Sequence, residues 1–124
     1  MPILIPLIKS IDSEDWDLRP RSFDVPTLIG VHIEIGVDGH RGGDIFQLEV
    51  ANRLWLLEHA QDGTWSWGRA RMLMDEFNVE VIERRVAGLI SDLAPYDSWP
   101  EFARRLSPFL IWEFEGMPYP PGGS

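Results

Sequence analysis

The chain has 124 residues, 44% of them apolar, and its 20 acidic residues against 11 basic ones give a net charge of −9. This length fits one domain with a single core, and the acidic surface disfavours nucleic acid and anionic lipid as partners. The chain has no cysteine, which excludes disulfides and thiolate zinc sites. The short apolar N-terminal stretch is interrupted by Pro2 and Pro6, so we predict neither a signal peptide nor a membrane span.

The first predicted strand, at residues 3–11, is either an edge strand or pairs only over Leu7–Ile11, because proline cannot donate a hydrogen bond to a central ladder. An acidic loop follows it, with Trp16 near the centre. Two interpretations stay open: a solvated connector, or a recognition loop in which the tryptophan anchors a partner protein. The acidic residues that frame this anchor are Asp12, Glu14, Asp15 and Asp17.

The next segment predicts a β-hairpin. Residues 28–37 and 45–50 each alternate between apolar and polar side chains, which is typical of half-buried strands. The turn between them is rich in glycine, which tolerates the backbone angles of tight turns. The turn also carries Asp38, His40 and Asp44, which are ordinary turn residues or, in an alternative interpretation, ligands for a metal ion.

The middle of the chain predicts a short helix, a strand and the main helix. Asn52 is a candidate cap for a short helix over residues 53–59, and residues 71–75 predict a fourth strand. In residues 79–93 the apolar side chains recur at the spacing of one helical face. We predict that Asn78 opens this helix and that the helix covers the sheet.

A second helix and a closing strand complete the predicted elements. Ser98 and Glu101 have the spacing of a capping box, and the apolar face of the helix they begin includes Phe109. Residues 109–115 then predict a strand that runs apolar and afterwards alternates. The alternation gives an aromatic face and an acidic face, formed by Trp112 with Phe114 and by Glu113 with Glu115.

These elements together predict an α+β fold: a mostly antiparallel β-sheet of about four to five strands, with two main helices packed on one face. Residues 1–116 are predicted to form this single domain. Residues 117–124 are rich in proline and glycine, and we predict a flexible tail.

The sequence contains no recognisable catalytic motif. We find no HExxH or GxSxG motif and no glycine-rich loop that leads into a helix, so we predict no catalytic residue, metal or cofactor. An acidic surface with aromatic anchors favours a protein-binding role. Two alternatives stay open: a small metal-dependent enzyme built on the Asp38, His40 and Asp44 turn, and a homodimeric structural module whose sheet edges pair.

The order of several motifs resembles the Immunity protein 8 family. They extend over residues 7–116 and are Leu7-Ile8-Lys9-Ser10-Ile11, Ile29-Gly30, Phe46-Gln47-Leu48-Glu49-Val50, Trp55-Leu56, Trp67-Gly68-Arg69, Met74-Asp75-Glu76-Phe77, the helix from Ser98-Trp99 to Leu106, and Trp112-Glu113-Phe114-Glu115. The family pattern often has a cysteine after the third strand, where this chain has Ala51-Asn52. No role in this interpretation requires that thiol.

The resemblance implies a cytoplasmic bacterial protein, without enzyme activity, that neutralises a polymorphic toxin domain and protects the producing cell. The resemblance identifies neither the toxin nor the surface that binds it. From the residues themselves we predict a monomer or homodimer whose acidic loops and open sheet face suit a basic toxin such as a nuclease; the helix faces are the alternative surface. The predicted toxin contacts are Asp12, Glu14, Asp15, Trp16, Asp17, Asp38, His40 and Asp44.

Overall fold

The computed structural model describes residues 4–14, 17–22, 24–61 and 69–116. Asp15, Trp16 and the predicted tail at residues 117–124 lie outside the described residues. The strands are β1 (Pro6–Asp12), β2 (Arg21–Ser22), β3 (Leu28–Val37), β4 (Asp44–Ala51), β5 (Arg71–Leu73), β6 (Glu76–Phe77) and β7 (Ile111–Trp112). The helices are α1 (Arg53–Gln61), α2 (Val79–Leu93) and α3 (Trp99–Leu106).

The main sheet is built around the β3–β4 hairpin. β1 pairs antiparallel with the outer edge of β3, and the far edge of β4 is shared by antiparallel β7 and parallel β5. β2 and β6 form a separate antiparallel pair of two residues each. The prediction of a mostly antiparallel sheet of four to five strands is confirmed, and β1 lies at the sheet edge, which is one of the two arrangements predicted from its prolines.

Close backbone contact shapes the hairpin turn. A Cβ atom added to Gly43 would lie 2.3 Å from the Ile35 carbonyl oxygen, and one added to Gly36 would lie 2.0 Å from that of Gly42. No side chain fits at either separation. These glycines therefore allow the turn to fold back tightly on the end of β3, which helps to fix the register of the hairpin. In that register Leu28 lies opposite Ala51 and Ile35 lies opposite Asp44.

The helices α2 and α3 cover one face of the sheet, as predicted. Asn78 Oδ1 accepts a hydrogen bond from Glu80 N at 2.9 Å, and Ser98 Oγ accepts one from Glu101 N at 3.3 Å, so both predicted N-caps are confirmed. The Glu101 carboxylate pairs with Arg105 at 2.6 Å rather than reaching back to the cap. The fully or nearly buried helix residues are Ile82, Val86, Ile90, Phe102, Ala103 and Leu106.

The core forms where this helix layer meets the inward residues of the hairpin. These inward residues are Ile29, Val31, Ile33, Ile35, Phe46, Leu48 and Val50. Burial of each large aliphatic or aromatic side chain contributes about 1.5–3 kcal/mol before conformational entropy is subtracted. No helix within the described ranges is long and apolar enough to cross a membrane.

Asn52 connects α1 to the loop that enters β3. Its side chain is buried, with Oδ1 accepting hydrogen bonds from Thr27 N at 2.9 Å and Trp55 N at 3.0 Å. Its Nδ2 donates to the Val25 carbonyl oxygen at 2.7 Å. The predicted helix cap is confirmed, and the same side chain also satisfies the backbone of a loop that is distant in sequence.

The predicted closing strand is wrong in its length. Only Ile111–Trp112 pairs with β4, and the chain then turns at residues 113–116, where Gly116 has a φ of 78°. Glu113 is exposed but lies in this turn instead of a strand, and its Oε2 accepts a hydrogen bond from Ile45 N at 2.7 Å. Phe109, predicted on the apolar face of α3, lies in the turn after that helix with 44% of its surface exposed.

The predicted strand over residues 71–75 is also too long. β5 ends at Leu73, and Met74 N then donates to the Ala51 carbonyl oxygen at 2.9 Å. Glu76 and Phe77 pair with β2 instead of extending the main sheet. The chain therefore leaves the sheet edge at this point and approaches α2 through a second, smaller β-pair.

Candidate functional site

The acidic loop after β1 places charged side chains in solvent. Asp12 ends β1 opposite His32, and Asp12 and Glu14 are both exposed. Neither forms an ion pair with another residue that the structure describes. Asp17 Oδ2 pairs with Arg19 Nε at 2.6 Å, but both side chains are at least half exposed, so this pair contributes at most about 1 kcal/mol.

The hairpin turn holds Asp38 and His40 through their backbone atoms. Asp38 N donates to the Ile5 carbonyl oxygen at 2.8 Å, and the His40 carbonyl oxygen accepts from Lys9 Nζ at 2.8 Å. The two side chains are exposed. These contacts attach the turn to β1 while leaving both predicted contact residues accessible to another molecule.

Asp44 has a different environment from the other predicted contact residues. Its Oδ2 accepts hydrogen bonds from Trp99 Nε1 at 2.7 Å and from Trp112 Nε1 at 2.9 Å. Asp44 begins β4, Trp99 begins α3 and Trp112 ends β7. One carboxylate oxygen thus joins three elements, and the sequence alone gives no signal for this arrangement because the three residues are far apart in the chain.

The two groups of predicted contact residues do not come together. Asp12 lies opposite His32, whereas Asp38 follows Val37, whose partner is Pro6 at the start of β1. Along β3, Asp38 lies six residues after His32, and six residues of extended chain span about 20 Å. A partner that contacts both groups must therefore lie along β1 and β3 rather than in a single pocket.

The surface between the two groups is the sheet face opposite the helix layer. We call it the open face and define it by the exposed or half-buried side chains of Ser10, Asp12, His32, Glu34, Ile45 and Gln47. Ser10 Oγ donates to Glu34 Oε1 at 3.2 Å, and Glu34 has no ion-pair partner among the described side chains. The alternation in β3 and β4 predicted this polar face, but of these six residues only Asp12 was among the predicted contacts.

The helix α1 covers the same side of the sheet as the open face, at the end where β4 pairs with β5. Arg71 pairs with Glu49 at 2.7 Å, and its guanidinium carbon lies 4.7 Å from the centre of the Trp55 ring. Glu49 and Arg71 are cross-strand neighbours. Their charges are satisfied by each other and by the α1 aromatic ring, so the open face ends at this ion pair.

Negative charge is distributed unevenly between the two sides of the molecule. The helices α2 and α3 contain four acidic and four basic residues and carry no net charge. The entire net charge of −9 therefore belongs to the rest of the chain. In residues 12–38, which include the acidic loop and all of β3, seven acidic residues stand against two basic ones. This segment, which supplies Asp12 and Glu34 to the open face, therefore has a net charge of −5.

The structure does not support a metal centre at the turn. No three His, Asp or Glu side chains in the described part of the chain are grouped so that they could hold a metal ion. Asp44, one of the three residues in the metal-enzyme alternative, already accepts two indole N–H groups. The observed geometry therefore gives no support to that alternative.

Tyr96 is a titratable group in the interior. Its hydroxyl donates to the Ile90 carbonyl oxygen at 2.5 Å. Burial raises the pKa of Tyr96 above its usual value of 10.0, and the Arg105 guanidinium opposes this change. The group lies between α2 and α3 and not on the open face, so its role is structural.

Comparison with known proteins identifies the family of the chain. The family model of Immunity protein 8 matches residues 7–117, which is nearly the whole chain and contains β1, the hairpin, all three helices and β7. Searches of the curated proteins and of the solved structures gave no match. The extent of the family match covers the complete sheet and its helix layer, and the chain therefore belongs to the Immunity protein 8 family.

Proposed function

We propose that this immunity protein neutralises a cognate bacterial toxin domain by covering a basic surface of the toxin with its open face and acidic loop. It acts in the cytoplasm of the producing bacterium and catalyses no reaction. The observation that carries this proposal is the uneven charge: the helix layer is neutral, and the whole excess of acidic residues lies elsewhere. Complementary charge accelerates association and excludes wrong partners.

The local chemistry of the open face supports a protein partner of opposite charge. Asp12, Glu14 and Glu34 form no ion pair with the described residues around them, so their charges remain available to arginine or lysine from a toxin. Ile45, half-buried at the same face, adds an apolar contact. A basic nuclease domain has the required charge, because such a domain must attract phosphate groups.

The shape of the surface also suits an extended contact. The acidic loop and the hairpin turn lie about 20 Å apart along β3, with the open face between them. A standard interface buries roughly 800 Å² on each partner, and a patch of this length can supply that area. The predicted contacts Asp38 and His40 then lie at one end and Asp12 and Glu14 at the other.

The function is tested with the toxin encoded beside this protein. We expect co-expression to restore growth of cells that carry the toxin, and titration calorimetry of the purified proteins to show a tight complex. A control toxin from an unrelated system should neither bind nor be neutralised. Continued killing, together with no heat of binding, would refute the proposed function.

The surface is tested by amide hydrogen exchange in the same complex. We expect the toxin to slow exchange of exposed amides in β1 and in the turn between β3 and β4, and to leave exposed positions of α2 unchanged. The free protein provides the reference for each amide. Protection confined to α2 or α3 would leave the immunity function intact but would show that the helix layer is the binding surface.

A further inference from the structure

The outer face of α2 carries a glycine that the rest of the described molecule does not explain. Gly88 lies near the middle of a 15-residue helix and is exposed. A Cβ atom added there would have no neighbour within 4 Å, so the fold has room for any side chain. Glycine is the least favourable residue after proline inside a helix, and no contact in the described structure requires it at this position.

Charges of opposite sign flank this glycine at equal distances along the helix. Arg84 precedes Gly88 by four residues and Asp92 follows it by four, and all three are exposed on one ridge of α2. Neither charged side chain has an ion-pair partner in the part of the chain that the structure describes. A shallow concavity of about 450 Å³ lies over this ridge, lined by Arg84, Arg85, Gly88, Leu89 and Asp92.

This arrangement is complementary to itself. If two copies of α2 cross antiparallel on a two-fold axis at Gly88, Arg84 of each copy meets Asp92 of the other. The same operation places Ala87 against Leu89. An interface between identical chains requires this reciprocity, in which each residue meets its counterpart and the contact closes at two copies. A two-fold axis centred on Arg84 or on Arg85 would instead bring like charges together.

Apolar surface extends the ridge on both sides. Towards β1 lies a concavity of about 370 Å³ bordered by Ile5 and Leu7, whose surfaces are 55% and 42% exposed. Towards β5 lies one of about 320 Å³ bordered by Leu89 and Phe109. Exposed apolar side chains beside a charged ridge are typical of a protein–protein contact, with desolvated apolar groups supplying most of the binding energy.

We propose that the exposed face of α2 is the contact surface of a symmetric homodimer, with Gly88 of both copies at the two-fold axis and Arg84 of each copy paired with Asp92 of the other. Glycine at the axis lets the two helix backbones approach closely. The ridge formed by residues four apart is the one that packs between helices in the commonest class of helix crossing. The open face lies on the other side of the sheet and stays accessible, so the dimer presents two toxin-binding surfaces.

The dimer is tested by sedimentation velocity over a wide range of protein concentration. We expect a concentration-dependent shift from a mass of 14.2 kDa to twice that value. Gly88→Gln should remove the dimer, since a side chain at the axis separates the helices. Because the position is open in the monomer and glutamine favours helix, the thermal unfolding temperature of this variant should not fall below that of the wild type when both are dilute enough to be monomeric.

A charge exchange tests the register of the contact. Arg84→Asp alone and Asp92→Arg alone should each weaken the dimer by about tenfold, because both create like-charge contacts across the axis. The combined variant Arg84→Asp/Asp92→Arg restores opposite charges and should recover dimerisation. Three results would each overturn the proposal. They are a protein that stays monomeric at every concentration, a dimer that Gly88→Gln leaves unchanged, and a combined variant that dimerises as weakly as either single variant.

Discussion

Glu34 and Asp44 lie on the same β-hairpin, yet their carboxylates have opposite roles. Asp44 accepts hydrogen bonds from two tryptophan indoles and joins β4, α3 and β7. Glu34 accepts one from a serine hydroxyl on the open face and has no ion pair with the described residues. The comparison shows that the acidic character of this protein has two components. One holds the fold together, and the other remains available to a partner.

The same division separates the C-terminal acidic residues from those of the loop after β1. Glu113 accepts from a backbone amide of β4, and Glu115 pairs with Arg69. Asp12 and Glu14 are exposed at the end of β1 without such long-range contacts in the described structure. Substitution of the first group should therefore lower stability, whereas substitution of the second should change binding.

Loss of the Asp44 carboxylate should have the largest effect on stability. Asp44→Ala leaves two half-buried indole N–H groups without their acceptor, and we expect a loss of about 2–4 kcal/mol in the free energy of unfolding. Urea unfolding followed by tryptophan fluorescence measures it. Asp38→Ala is the matched control in the same turn, where the exposed side chain should change stability by less than about 0.5 kcal/mol. Equal effects of the two substitutions would contradict the division.

Loss of the Glu113 carboxylate should have a smaller effect. Its hydrogen bond to Ile45 N is exposed, and water can replace part of it, so we expect Glu113→Ala to cost about 1 kcal/mol. Glu14→Ala removes the same type of charge from the loop and should be nearly neutral. Urea unfolding of both variants under identical conditions distinguishes them, and a larger cost at Glu14 would show that the loop is structural.

Alkaline pH should lower the free energy of unfolding, because it ionises the buried hydroxyl of Tyr96. Burial raises the pKa of Tyr96, so the folded state holds this proton more tightly than the unfolded chain does. The resulting stability is complete below the unfolded value of about 10 and is lost as pH rises through the higher folded value. Denaturant titrations at increasing pH should show this decline in the wild type and a weaker one in Tyr96→Phe. Indistinguishable pH profiles would contradict it.

Local patterns in the sequence were sufficient to predict most of the fold. Alternation predicted β3 and β4, helical spacing predicted α2, and Asn52, Asn78 and Ser98 predicted their caps because capping depends on residues two or three positions away. Each of these features is decided by neighbours along the chain. The family resemblance is confirmed over nearly the full length.

Features that depend on distant partners could not be predicted in this way. The alternation at residues 109–115 continues beyond β7, but the chain turns at residues 113–116, where Glu113 and Glu115 bind Ile45 and Arg69. Asp44 looked like a turn residue available for binding, since nothing nearby in sequence shows the two indoles that contact it. For the candidate site, the sequence predicted an acidic surface, and the structure adds that Asp12 and Asp38 lie at opposite ends of β1.

The most direct test of the account measures the association rate of the cognate toxin with two charge-matched variants. Asp12→Lys/Glu34→Lys changes the open face, and Glu83→Lys/Asp97→Lys makes the same change in charge on exposed residues of the helix side. We predict that the first variant slows association by about tenfold at low salt, with the difference shrinking as salt rises, and that the second has little effect. Equal slowing by both variants, or no slowing by the first, would contradict the assignment of toxin binding to the open face.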